Sequence, residues 1–198
     1  MTKWILGAAL ALSVAFPAGA AATTIEGSPQ SFPYQQWSDE AKVATPPVTV
    51  EVVESEVGAA NWPCGVASAC AEEQARRIWF APARLLGYGP RAAFYHELGH
   101  IDDWWTLTDS ERAEFAGLVG APMEPWLTAE DHETAGEAYA EMFAACARLG
   151  LQAPSTWTTE FQWPSRVQII GVHRQVRICE ALREFAGSPP KPRKQRAS

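Results

Sequence analysis

The chain has 198 residues, 47% of them hydrophobic, and a formal net charge of −7. This is enough to bury one hydrophobic core, and nothing in the composition indicates two domains. The charge is uneven, because residues 21–187 carry 11 basic and 23 acidic side chains whereas the basic residues of 188–198 have no acidic neighbours. An acidic body of this kind argues against nucleic acid as a partner.

The two ends of the chain differ from the rest. Residues 1–20 are expected to be a signal peptide, because Lys3 precedes an apolar run and residues 18–20, AGA, form an A-x-A cleavage site. The run is too short to span a membrane and no other stretch is a candidate, so we expect a secreted, extracellular protein without stable membrane insertion. Residues 188–198, SPPKPRKQRAS, predict a disordered basic tail, with cell-wall contact as the alternative.

The sequence between these ends predicts strands first and helices afterwards. Residues 21–47 contain four prolines and many polar residues, which predicts an extended or partly disordered lead-in. Val48–Val53 and Arg77–Ala81 predict two strands, with a helical turn at 71–77 between them. Residues 48–187 would then be one α+β domain, with a small N-terminal β-sheet followed by a helical part.

Four helices are predicted after the strands, with capping residues at the starts of the second and third and with glycine or proline at the ends of the last three. The first runs from the turn at 87–90 to about Trp105, and the second from Thr108 or Asp109 to near Gly120. The third starts at Thr128 or Asp131 and continues through Ala147, and the last covers Ser165–Phe185.

Four cysteines in an exported chain predict two disulfide bonds, for which three pairings are possible. Small residues separate Cys64 from Cys70, which favours a local loop. Cys146 and Cys179 would then tie two late helices together. By loop-closure entropy the local bond would contribute roughly 2 kcal/mol and the longer one roughly 4 kcal/mol. A cysteine-rich metal site is disfavoured, because the sequence contains no C-x-x-C.

Residues 96–100, HELGH, form an H-E-x-x-H motif within the first predicted helix. His96 and His100 stand one turn apart and project from one face, a spacing that suits tetrahedral Zn²⁺. Glu97 lies about 100° round the helix from His96, where it suits a general base for zinc-bound water. Gly99 costs the helix about 1 kcal/mol against alanine, so we expect another element to pack closely there.

A catalytic zinc site needs a third protein ligand. Metzincins have a histidine six residues after the second one, but this chain has Thr106 there. The third predicted helix offers Glu133, Glu137 and Glu141 on one face, spread over about 80°. Their neighbours are apolar, and a buried carboxylate needs a cation or hydrogen-bond partner. A solvated acidic stripe is the alternative.

HELGHIDDW at 96–104, followed by EAYAE at 137–141, resembles the gluzincin group of zinc metallopeptidases. The resemblance is closest to the lethal-factor-like branch, whose H-E-x-G-H-x-x-D helix is followed by an E-x-x-A-E helix. It covers about residues 90–147 and implies a zincin-like fold. It also implies a zinc site whose ligands are His96, His100 and Glu137, with Glu97 as the general base. Asp103 and Glu141 would not bind the metal themselves but would orient the ligand histidines.

The same resemblance implies a hydrolase that cleaves peptide or protein substrates with a zinc-activated water, and the expected signal peptide makes it a secreted one. In an alternative assignment Glu133 is the third ligand, and Glu137 supports the ligands without binding the metal. The lethal-factor-like branch also has a tyrosine shortly before the ligand helix, whereas residues 124–132 contain none. Candidates for its role are His132, His173 and Tyr95, while Tyr139 is expected to point away from the metal.

Two further expectations concern substrate binding. The strand Arg77–Ala81 is expected to pair with an extended substrate by strand addition. Tryptophans near the predicted cleft are candidates for substrate contact, with core packing as the alternative: Trp104, Trp105, Trp157 and Trp163. The competing function is a catalytically inactive, zinc-stabilised, secreted binding module with a tryptophan-rich surface.

Overall fold

The computed structural model describes residues 23–27, 31–85, 89–127, 134–150 and 172–185. Several predicted features lie outside these residues, namely the signal peptide, the basic tail, His132, Glu133, Trp157, Trp163 and the side chain of His173. The described strands are β1 Thr24–Glu26, β2 Thr49–Glu54, β3 Ala69–Glu72 and β4 Arg77–Phe80. The described helices are α1 Tyr34–Asp39, α2 Pro82–Leu85, α3 Pro90–Thr106, α4 Asp109–Val119, α5 Ala135–Leu149 and α6 Val172–Phe185. The predicted α+β class is confirmed.

The strands form one sheet in the order β1-β2-β4-β3. β1, β2 and β4 are mutually parallel, whereas β3 runs antiparallel to β4 and places Cys70 opposite Trp79. β4 is therefore an interior strand whose backbone hydrogen bonds are taken by β2 and β3. The prediction that residues 77–81 pair with a substrate is wrong for this reason, and β1 and β3 form the edges of the described sheet.

The lead-in is only partly extended. β1 follows the extended path that its composition predicts and pairs with β2. The helix α1 is not predicted by the proline and polar content. It forms because Tyr34, a core residue with 0% exposure, packs its ring against Phe80 and Phe94.

The helical turn predicted at residues 71–77 is wrong. Ala69–Glu72 instead form β3, and a turn at 73–76 leads directly into β4. Pairing with β4 outweighs the helix preference of the alanines and glutamates, because it completes the sheet against α3. Arg76 in this turn adopts a positive φ of 55°.

The helix α3 lies at the centre of the molecule. All residues from Ala92 to Asp103 are buried, between the sheet on one side and α5 on the other. At Gly99 an added Cβ would lie 2.9 Å from Cα of Ala140 and 3.1 Å from Cβ of Phe143. The expected close packing at Gly99 is confirmed, and the neighbouring element is α5.

The boundaries of the later helices follow their caps. Thr108 caps α4 and forms a full capping box with Glu111. Of the two predicted caps, Thr108 is therefore the one that forms. The helix α5 begins later than predicted, at Ala135, with Thr134 as its N-cap, and ends at Leu149, with Gly150 as its C-cap.

Both predicted disulfide bonds are present. Cys64–Cys70 closes the loop before β3, and Cys146–Cys179 joins α5 to α6. Such bonds are typical of proteins from oxidising compartments. None of the described helices combines the length and apolarity that crossing a membrane requires.

Candidate metal centre

The structure brings His96, His100 and Glu137 together between α3 and α5. The Nε2 atoms of the two histidines are 3.2 Å apart. The Oε2 atom of Glu137 lies 3.4 Å from Nε2 of His96 and 3.5 Å from Nε2 of His100. Among the described residues, no other group of three metal-ligating side chains converges in this way.

The three atoms form a triangle of the size that a tetrahedral metal requires. With metal–ligand bonds of about 2.0–2.1 Å, two ligands of a tetrahedral ion are about 3.3–3.4 Å apart. The observed separations of 3.2, 3.4 and 3.5 Å bracket this value. Two imidazole nitrogens and one carboxylate oxygen are donors that suit divalent transition metals. The group therefore fits a metal ion as it stands.

The site is buried and its charges favour a cation. His96 and His100 are 7% and 6% exposed. Burial alone would lower the pKa of His96, but hydrogen bonds to Glu137 and Glu141 outweigh it and raise that pKa to about 10. The pKa of His100 is also raised, because Glu137 outweighs burial and the charge of His96. The field that favours a proton on these rings also favours a metal cation.

The carboxyl group of Glu137 responds in the opposite direction. Burial would raise its pKa, but hydrogen bonds to His100 and His96 outweigh burial and hold the pKa well below its usual range. Glu137 also lies in the first turn of α5, where the helix dipole stabilises an anion. It is therefore an ionised carboxylate, the form that binds metal.

The start of α5 explains why Glu137 reaches the histidines. Thr134 Oγ1 accepts a hydrogen bond from the backbone N–H of Glu137 at 3.3 Å, as an N-cap does. In α4 the equivalent Glu111 turns its carboxylate back to the N–H of Thr108 at 2.7 Å. In α5 the carboxylate of Glu137 turns to the histidines instead. The T-x-x-E pattern at 134–137 is the sequence signal that identifies this start.

The carboxyl group of Glu97 is buried beside the two histidines, with 8% exposure. Burial raises its pKa, and the neighbouring His96 and His100 oppose the shift. A carboxylate whose pKa is raised towards neutrality is suited to accepting and returning a proton.

Glu73 is a further carboxylate that interacts with the charges of His100 and Glu137, and no sequence motif marks it. It lies in the turn between β3 and β4, and its backbone carbonyl accepts a hydrogen bond from Nε1 of Trp105 at 2.8 Å. Burial raises its pKa most, and the charges of His100 and Glu137 also act on it. No local pattern predicts this placement, because it depends on the hairpin folding over the end of α3.

The two residues expected to orient the histidines differ in their contacts. Oε2 of Glu141 lies 3.4 Å from Nδ1 of His96, on the side of the ring away from the ligand triangle. The described hydrogen bonds of the Asp103 carboxylate go to Arg112 and Trp126, at 2.6 and 2.8 Å, and none goes to a histidine. The buried Arg112 needs a counter-charge, and Asp103 provides it.

Neither tyrosine considered from the sequence lies with its hydroxyl at the ligand triangle. The hydroxyl of Tyr139 donates to Oδ2 of Asp102 at 2.6 Å, so it points away from the metal group as predicted. The hydroxyl of Tyr95 donates to the carbonyl of Trp37 and accepts from Arg91. Tyr95 therefore does not fill the role of a catalytic tyrosine.

No protein-family model matches the chain, and no curated protein or solved structure is detectably similar to it.

Proposed function

We propose that this protein is a secreted, zinc-dependent metallopeptidase with a zincin-like fold. The observation that carries the proposal is the triangle of His96, His100 and Glu137, which has the dimensions of a tetrahedral site. Three protein ligands leave one coordination position for a reactant, which is the arrangement of catalytic rather than structural zinc. The H-E-x-x-H spacing and the resemblance to gluzincins favour zinc among divalent metals.

The chain's own residues supply the proton transfers. Zinc bound by these ligands would supply a Lewis acid that polarises the peptide carbonyl and makes water nucleophilic near neutral pH. Glu97, buried next to ligand His96, takes the proton of the attacking water and passes it to the leaving amine. The carboxylate of Glu141 lies 3.4 Å from Nδ1 of His96, the ring nitrogen opposite the ligand triangle, and orients the ring.

The sheet supports an extended peptide as the substrate. β3 is an edge strand that pairs only with β4 among the described strands, and in the turn that follows it the backbone carbonyl of Glu73 accepts a hydrogen bond from Trp105 at the end of α3. The outer edge of β3 offers backbone hydrogen bonds to an extended chain. The disulfide bonds support an extracellular location.

The second candidate function is a catalytically inactive, zinc-stabilised binding module. The contacts of Tyr95 and Tyr139 favour it, because neither hydroxyl is directed to the ligand triangle to stabilise an oxyanion. The presence of Glu97 favours the enzyme, since a structural zinc site needs no general base.

The test compares cleavage of a peptide library by wild-type protein and by Glu97→Gln. The amide cannot accept a proton, so turnover should fall by about 10²- to 10⁴-fold. Zinc content should stay unchanged, because the three ligands are intact. Glu114→Gln, at an exposed glutamate on α4, is the matched control and should cleave like wild type. Equal cleavage by wild type and Glu97→Gln would contradict the mechanism, and no cleavage by wild type would favour the binding module.

A further inference from the structure

The position of Glu137 relative to the histidines depends on contacts outside the ligand triangle. His96 and His100 belong to α3, whereas Glu137 belongs to the first turn of α5. A metal site tolerates errors of only about 0.2 Å in its bond lengths. The start of α5 must therefore be held firmly against α3.

A continuous set of hydrogen bonds joins these two elements through Trp126. Nε1 of Trp126 donates to Oδ2 of Asp103 at 2.8 Å, three residues after His100 on α3. The backbone carbonyl of Trp126 accepts from the N–H of Gly136 at 2.7 Å, directly before Glu137. One residue thus contacts both ligand-bearing helices, with its side chain on one and its backbone on the other.

Arg112 holds this connection in place. Its Nε donates to Oδ1 of Asp103 at 2.6 Å, so both oxygens of that carboxylate are occupied. Its guanidinium also stacks over the Trp126 ring, with 5.6 Å to the ring centre. Arg112 and Asp103 are 2% and 5% exposed. Separating a buried pair of this kind leaves an uncompensated charge, which strongly favours the single observed arrangement.

Close packing transmits the position of the Trp126 backbone to α5. A Cβ added at Gly136 would lie 2.7 Å from the Trp126 carbonyl oxygen and 3.0 Å from its Nε1. No side chain fits between them, so the loop and the helix start must move together.

We propose that Trp126, held by Asp103 and Arg112, is a positioning residue that sets the distance between Glu137 and the two histidines. The proposal rests on the proposed metal centre. The resemblance implies that Asp103 orients the histidines. In this proposal Asp103 instead positions the third ligand, Glu137, through Trp126.

The test measures zinc affinity by competition with a chromophoric chelator. Trp126→Phe keeps an aromatic ring under Arg112 but removes the indole N–H, and we expect zinc binding to weaken about 10- to 100-fold. Trp79→Phe is the matched control, because it removes a comparable Trp–carboxylate hydrogen bond, to Glu72 at 2.9 Å, within the sheet. It should bind zinc like wild type.

A second variant perturbs the same connection from the side of α5, so that the test does not depend on the folding of Trp126→Phe alone. Gly136→Ala adds a methyl group where the Trp126 carbonyl lies, although alanine favours helix formation. It should weaken zinc binding in the same way and shift the visible spectrum of the Co²⁺-substituted protein. If Trp126→Phe and Gly136→Ala both bind zinc as tightly as wild type, the positioning role is wrong. If wild type itself binds no zinc, the metal centre is wrong instead.

Discussion

The side chain of His96 lies between two carboxylates, each of which faces a different ring nitrogen. Glu137 faces its Nε2 atom at 3.4 Å, and Glu141 faces its Nδ1 atom at 3.4 Å. A ligating histidine whose other ring nitrogen is bonded to a carboxylate is fixed in orientation and more basic. His96 and Glu141 are buried and the side chain of Glu137 is only 14% exposed, so little solvent screens these interactions.

Replacing Glu141 should weaken the site without removing a ligand. Glu141→Gln keeps a hydrogen-bond acceptor for His96 but removes the negative charge, so zinc affinity should fall about 10- to 100-fold. Isothermal titration calorimetry with zinc measures this change. Glu180→Gln, at an exposed glutamate on α6, is the control. Unchanged affinity in Glu141→Gln would show that Glu141 does not support His96.

At the scale of elements, the site depends on how closely α3 and α5 approach. Gly99 lies on α3 just before His100, and its missing side chain lets the backbone of α5 come within contact distance at Ala140. The same approach carries Glu137 to the histidines. The glycine inside the H-E-x-x-H motif therefore has a packing reason that outweighs its cost to helix stability.

Gly99→Ala should destabilise the protein although alanine is the better helix former. Its Cβ would lie 2.9 Å from backbone Cα of Ala140, so the helices must separate, at a cost of roughly 1–3 kcal/mol. Urea unfolding measures the free energy of unfolding. Gly117→Ala on α4 is the control, because nothing lies within 4 Å of its added Cβ, and it should stabilise the protein by up to about 1 kcal/mol. A Gly99→Ala variant more stable than wild type would contradict this account.

The local patterns of the sequence predict individual elements better than they predict which elements contact one another. The turn at residues 87–90 and the cap at Thr108 predict the starts of α3 and α4, and the cysteine spacing leads to both disulfide bonds. The start of α5 is predicted too early, because Thr128 and Asp131 are also suitable cap residues, whereas the cap that forms is Thr134 in the T-x-x-E pattern. The edge position of β3 and the contact of Trp126 with Asp103 depend on chain segments that are distant in sequence, so no local pattern reveals them.

At the scale of the whole molecule, one helix organises the structure. α3 is packed against the sheet on one side and α5 on the other, and the Cys146–Cys179 bond ties α5 to α6. By loop-closure entropy that bond contributes roughly 4 kcal/mol of stability. His96 and His100 on α3 and Glu137 on α5 therefore belong to two helices that pack directly against each other.

The most direct test of the central claim is the zinc content of the purified protein and its ligand variants after dialysis. Wild type and Glu97→Gln should each hold about one zinc ion per chain, whereas His96→Ala, His100→Ala and Glu137→Gln should lose it. Glu133→Gln is the control and should keep its zinc. A variant lacking both histidines that still holds one zinc ion would contradict the metal centre. Loss of zinc in Glu133→Gln together with its retention in Glu137→Gln would contradict the assignment of the third ligand.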